Sequence, residues 1–109
     1  MAMDNMEVAM TLIAEAGDSR SYCMEAIALA KEGKFDEADK ALENAANGMI
    51  VAHETQTDLI RKEMEGTGDP VSLLMVHAQD HLNLALIMRD MAEEFICIHK
   101  KFVEMEGKS

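Results

Sequence analysis

The stretch PVSLLMVHAQDHLNLALIMRDMAEEFICIHKKFVEM, from Pro70 to Met105, decides the fold. One stripe along it reads Leu74, His77, His81, Leu84, Met88, Met91, Phe95, Ile98, Phe102 and Met105. Its steps alternate three and four residues, the spacing of one helix face. Asp69 and Pro70 predict the start, with Asp as N-cap and Pro at the first helical position. The helix then runs to about Met105, on the order of 50 Å at 1.5 Å per residue. The tail from Glu106 to Ser109 is expected to fray.

Upstream, Asp4 followed by Glu7 reads as a capping box that opens a first helix. Its apolar face is expected to run Met6, Met10, Ile13, Cys23, Ile27 and Ala30. Gly17-Asp18-Ser19 interrupts it, and a mid-helix Gly costs about 1 kcal/mol against Ala. The phase carries through, which favours one bent helix ending at Gly33. A second helix starts near Phe35 or Asp36. Its face runs Phe35, Ala38, Leu42, Ala45, Met49, His53 or Ala52, Gln56, Leu59 or Ile60, and Gly66-Thr67-Gly68 ends it. The segment EGKFDEADKAL looks like one tetratricopeptide-type turn, but no second copy follows, which excludes a repeat array.

The expected fold is all-α: an antiparallel bundle of three long helices in a single domain, residues 1–109. Aromatics are 4% and there is one Pro, with no β-branched run to build a sheet. The third helix has apolar residues beyond its stripe, namely Leu73, Val76, Leu82, Ile87 and Ile96. Two explanations stay open: a second face covered by self-association, or one broad face packing both other helices.

The net charge of −11 disfavours nucleic acid and anionic membrane as partners, which need clustered Lys and Arg. No apolar run approaches the ~20 residues of a membrane span. The acidic N-terminus, with Asp4 and Glu7, is unlike a signal peptide. Cys23 and Cys97 form no CxxC and read as buried reduced thiols of a cytoplasmic protein.

His77 and His81 share one face a turn apart, with Asp80 on its flank. An i,i+4 His pair is also the geometry of a two-histidine zinc site. Ala78 stands where the protease motif needs Glu, which weakens that reading. A neutral imidazole is a good nucleophile near pH 7, so His77 can accept a phosphoryl group while His81 donates to its oxygens. Gln79 lies about 200° from His77, so it is a candidate to act from a neighbouring subunit. The plainer alternative is a satisfied structural pair, and spacing alone does not choose. His53 and His99 read as satisfied core residues. Met75, Met88, Met91 and Met105 read as core filling.

The run LLMVHAQDHLNLA, Leu73 to Ala85, resembles the active-site segment of the enzyme IIA components of the lactose/cellobiose family of sugar phosphotransferase systems. AHETQTDLI (Ala52 to Ile60), EGKFDEADKAL and EAGDSRSYCMEAIALAKEG resemble that family in order and spacing. A departure follows at Asn83-Leu84, where a Met and a small polar residue are expected. The resemblance implies a cytoplasmic phosphocarrier, a phosphotransferase component with a phosphohistidine intermediate. The phosphocarrier protein HPr would phosphorylate His77 at Nε2, and a cysteine of the cognate IIB component would receive the group. A membrane IIC permease would handle the sugar, whose identity stays open.

The resemblance also implies a homotrimer in which Asp80 binds one shared divalent cation. Asp80 falls on a stripe with Leu73, Val76, Leu84, Ile87 and Met91 and is expected to be largely buried. Oxygen ligands favour a hard ion such as Mg²⁺. The residues alone favour a monomer, with Asp80 meeting a Lys or Arg of another helix. Rival functions are a non-catalytic acidic helical adaptor and a two-component histidine phosphotransfer domain, which uses four helices.

Overall fold

Asp4 caps the first helix as expected: its Oδ1 accepts a hydrogen bond from the Glu7 N–H at 2.8 Å. The computed structural model of the chain describes residues 4–107. These form three helices and no strand: α1 (Asn5–Lys31), α2 (Phe35–Met64) and α3 (Leu73–Gly107). The body measures 62 × 22 × 20 Å. The start of α1 packs on the end of α2 and the start of α3, as an up-down-up bundle requires. α1 lies along both other helices, while α2 and α3 meet over a shorter contact.

Two glycines turn the chain. Gly33 (φ 78°) follows α1, with the Lys34 N–H reaching Leu29 O and the Gly33 N–H reaching Ala30 O, both at 3.0 Å. Gly66 (φ 79°) repeats the arrangement after α2, where the Thr67 N–H reaches Lys62 O at 2.9 Å. Both are Schellman caps, which need a left-handed residue at that place.

The expected start of α3 is three residues early. Asp69 and Pro70 lie in the connection, and Ser72 is the cap, its Oγ accepting from the Met75 N–H at 3.1 Å. The reason lies upstream. The chain leaves α2 folded back on itself, so close that a Cβ at Gly68 would sit 3.1 Å from Glu63 Cα. The residues that follow are spent returning to the bundle. At its other end α3 continues to Gly107, past the expected Met105; Lys108 and Ser109 lie outside the described residues.

α1 is continuous through Gly17. Ala16 and Ser19 are buried on either side of Gly17-Asp18, and the Ser19 hydroxyl donates to Ala45 O of α2 at 2.9 Å. That segment is a helix crossing, whose packing outweighs the propensity cost of one Gly.

The expected faces of α1 and α3 need correction. The buried stripe of α1 is Ala9, Leu12, Ala16, Ser19, Cys23, Ala26 and Ala30, while Met6 and Met10 are 67% and 55% exposed. That of α3 is Ala78, Leu82, Ala85, Ala92 and Ile96. Leu84, Met91, Phe95, Ile98, Phe102 and Met105, read as core, are exposed. On α2 the expected face holds through Ala38, Ala45, Met49 and Ala52. Among the described residues, eleven of the sixteen buried apolar side chains are alanine. Small side chains let helix backbones approach closely, so the larger ones are displaced to the flanks and outward. Each alanine methyl buries little, about 0.8 kcal/mol. The single chain therefore leaves much of its apolar surface unused.

Candidate functional site

The capped first turn of α3 sets the directions of the residues that follow. With Ala78, Leu82 and Ala85 turned inward, a turn of 3.6 residues assigns three other directions. His77 and His81 fall on one flank of the core stripe. Gln79 falls on the opposite flank. Asp80 points outward, about 160° from Leu82.

His77 is exposed and His81 half-buried. Their Nε2 atoms are 3.0 Å apart, and the rings meet edge to face with centroids 4.5 Å apart and planes at 89°. One ring donates and the other accepts. His81 Nδ1 is buried and has no hydrogen-bond partner. A buried N–H without an acceptor is rarer than a buried lone pair without a donor. The favoured arrangement therefore puts the His81 proton on Nε2, donating to His77 Nε2, and leaves His77 protonated on Nδ1. The His77 Nε2 lone pair is then held by the His81 N–H and becomes available when that hydrogen bond opens.

Within its own chain Gln79 faces α2. Gln56 Nε2 donates to Gln79 Oε1 at 2.6 Å and approaches Asn83 Oδ1 at 3.4 Å. Gln79 Nε2 in turn lies 3.6 Å from Met75 Sδ. Gln56 is the partner the sequence reading lacked. Its only signal was a polar side chain on the inner face of α2, one turn after Ala52.

Asp80 is exposed in the single chain, against the expected burial, because its stripe lies opposite the one that packs on α1. It makes no ion pair or hydrogen bond with another described residue. Around it Leu73 is 85% exposed, Leu84 55% and Ile87 60%, so the carboxylate stands in an uncovered apolar stripe. No group of three or more His, Cys, Asp or Glu able to hold a metal occurs among the described residues of one chain. The remaining histidines are not core residues. His53 is exposed, and His99 is half-buried with its ring tilted 6.4 Å from Phe102. Nor are both thiols buried: Cys23 is, and Cys97 is exposed. Of the methionines read as core filling, Met75 and Met88 are half-buried while Met91 and Met105 are exposed.

The fold and site define a three-helix bundle that carries a hydrogen-bonded histidine pair on the flank of its third helix. Residues 7–100 match the family described as "PTS system, Lactose/Cellobiose specific IIA subunit", and the chain belongs to that family. It is 45% identical over 103 residues to the lichenan-specific phosphotransferase enzyme IIA component of Bacillus subtilis, covering 94% of each chain. The fold is similar to that of the crystal structure of the cellobiose-specific enzyme IIA from Bacillus anthracis, with TM-score 0.87, 39% identity, and 99% and 97% of the two chains covered. It is also similar to a chain of the solution structures of the Escherichia coli IIA(Chitobiose)–HPr complex, with TM-score 0.79, 34% identity, and 93% and 98% covered. The chain is thus a IIA component of a sugar phosphotransferase system. No helix among the described residues is long and apolar enough to cross a membrane.

Proposed function

We propose that this IIA component works in the cytoplasm, accepts a phosphoryl group from phospho-HPr on His77 Nε2 and passes it to a cysteine of its cognate IIB component. The observation that carries the reading is the 3.0 Å contact between the two Nε2 atoms on the outer flank of α3. The His77 Nε2 lone pair attacks phosphorus as the bond from phosphorus to the donor's nitrogen breaks. The His81 Nε2–H, freed from His77, turns to a phosphoryl oxygen and stabilises its charge. The reverse sequence delivers the group to a thiolate. The HPr complex of the chitobiose relative supports HPr as the donor. Gln79, turned away from His77 in its own chain, would assist only across a subunit boundary.

Assembly as a homotrimer accompanies this proposal. The exposed stripe Leu73, Val76, Leu84, Ile87, Met91 needs a cover, and a threefold arrangement of α3 supplies one. It also gathers three copies of Asp80. Three unpaired carboxylates among apolar side chains repel, and an all-oxygen donor set fits a hard divalent cation such as Mg²⁺. Such an ion would offset two of the three negative charges and so relieve most of the repulsion.

Incubation with phosphoenolpyruvate, enzyme I and HPr tests the phosphoacceptor. An acid-labile phosphate is expected on wild-type protein and absent from His77→Ala, and label persisting on that variant refutes the assignment. Light scattering is expected to give about three times the 12.1 kDa chain mass. Asp80→Leu should keep the trimer and lose the cation. A wild-type monomer at tens of micromolar removes both the trimer and its ion.

A further inference from the structure

We infer that His77 and His81 together form a bidentate site for a borderline divalent transition metal, Zn²⁺ foremost, separate from any hard-cation site at Asp80. The two Nε2 atoms converge to 3.0 Å on a face that solvent reaches through His77. A tetrahedral Zn²⁺ with Zn–N bonds near 2.0–2.1 Å holds two nitrogens roughly 3.3 Å apart. The pair therefore has to open by only a few tenths of an ångström to admit the ion. Imidazole nitrogen selects Zn²⁺, Cu²⁺ or Ni²⁺ over Mg²⁺, so millimolar Mg²⁺ does not compete.

The same geometry limits how tightly the ion is held. To ligate through both Nε2 atoms, each ring must carry its proton on Nδ1. His81 Nδ1 is buried with no acceptor to receive that N–H. Metal-binding histidines normally have such an acceptor, and its loss weakens affinity about 10–100-fold. With two protein donors and water completing the shell, the site is exchangeable and not structural. Its occupation engages His77 Nε2, the atom proposed above to accept phosphate. Zinc is therefore a reversible inhibitor of phosphotransfer. That consequence rests on the proposed phosphoacceptor; the binding itself does not.

The test uses full-length protein carrying Cys97→Ser, which removes the exposed thiol as a competing ligand. Calorimetric titration with ZnCl₂ in excess Mg²⁺ is expected to show one ion per chain. His77→Gln and His81→Gln should each weaken binding at least about tenfold, while His53→Gln leaves it unchanged. Circular dichroism confirms that each variant is folded. Zinc binding unaffected by either substitution, or no binding up to hundreds of micromolar, overturns the site. In a separate arm, Zn²⁺ should slow phosphorylation by phospho-HPr, and chelator should restore it. If phosphorylation fails without zinc, the proposed function falls and the calorimetry still decides the metal site. If phosphorylation proceeds at the same rate with zinc bound, the inhibitory role is wrong.

Discussion

Leu82 and Leu84 are two residues apart on α3 and should respond in opposite ways to truncation. Leu82 is fully buried among Ala9, Leu12, Ala16, Ala78 and Ala85. Its alanine neighbours are already at minimum size and cannot swing in to fill a hole. Leu82→Ala should therefore sit in the upper part of the 2–5 kcal/mol range for buried Leu→Ala, lowering the melting temperature by at least roughly 8 °C. Leu84 is 55% exposed in the single chain, so within one chain its truncation should cost no more than about 0.5 kcal/mol. If α3 packs against other copies through this stripe, Leu84→Ala acts through assembly, and its cost is largest at high protein concentration and fades as the protein is diluted to monomer. Thermal unfolding followed by circular dichroism over a hundredfold concentration range separates the two. Leu82→Ala should shift the melting temperature by a similar amount throughout, and Leu84→Ala increasingly at high concentration. A Leu82→Ala loss below about 1 kcal/mol refutes the alanine-core reasoning. A Leu84→Ala effect that ignores concentration refutes the stripe as a subunit interface.

His81→Ala should still accept phosphate but pass it on poorly, since it loses the Nε2–H that steadies the phosphoryl oxygens; wild-type transfer in both directions, followed with labelled phosphate, refutes that role. Ellman's reagent should modify one thiol quickly, Cys97, while Cys23 reacts only on unfolding. Cys23 is fully buried, and burial pushes its thiol above the ordinary range despite the opposing charge of Arg89, so thiolate is scarce there. Two fast thiols per native chain would refute that. Burial also raises the Glu15 carboxyl above its ordinary value. A raised folded-state pKa means that the native state favours the protonated form. Stability is then held below the unfolded pKa and lost as pH rises through the folded one. Glu15→Gln should therefore gain stability at neutral pH, with the gain shrinking as pH falls through the carboxylate range; a gain independent of pH in urea melts counts against it.

The elements of the fold were legible where local chemistry speaks. Asp4, Gly33 and Gly66 mark helix ends because caps are local geometry, and each falls where the sequence puts it. Asp69-Pro70 misled because it satisfies the same local rule as Ser72, and only the fold-back at Gly68 decides between them. The inner faces of α1 and α3 were not legible by the usual ranking of apolar residues. That ranking assumes the largest side chains lie inside. In this bundle the inner positions hold alanine, and a stripe chosen by size lands about one residue off, on a flank.

That displacement also explains the site. His77 and His81 interrupt a stripe of large apolar residues, and two imidazoles inside a core would need burial and partners. The stripe is not the core of the chain, so the histidines never had to be satisfied inside it. They sit at its edge, held to each other, with His77 open to solvent and one His81 nitrogen sealed against the bundle. Sequence spacing gave their shared face but not the tautomer, because the tautomer depends on which nitrogen the packing seals. Gln79 was beyond reach for a similar reason. Its direction follows from helical geometry, but its partner Gln56 lies on another helix, and only the close approach of α2 and α3 brings the two amides to 2.6 Å. An alanine interior thus does two things at once. It draws the helices close enough to fix side chains across them, and it leaves the large apolar residues of α3 free to meet another surface. A chain that fixes its histidines by its inner face and keeps its outer face for partners separates the chemistry from the assembly. Mutations of the two faces should therefore be separable too.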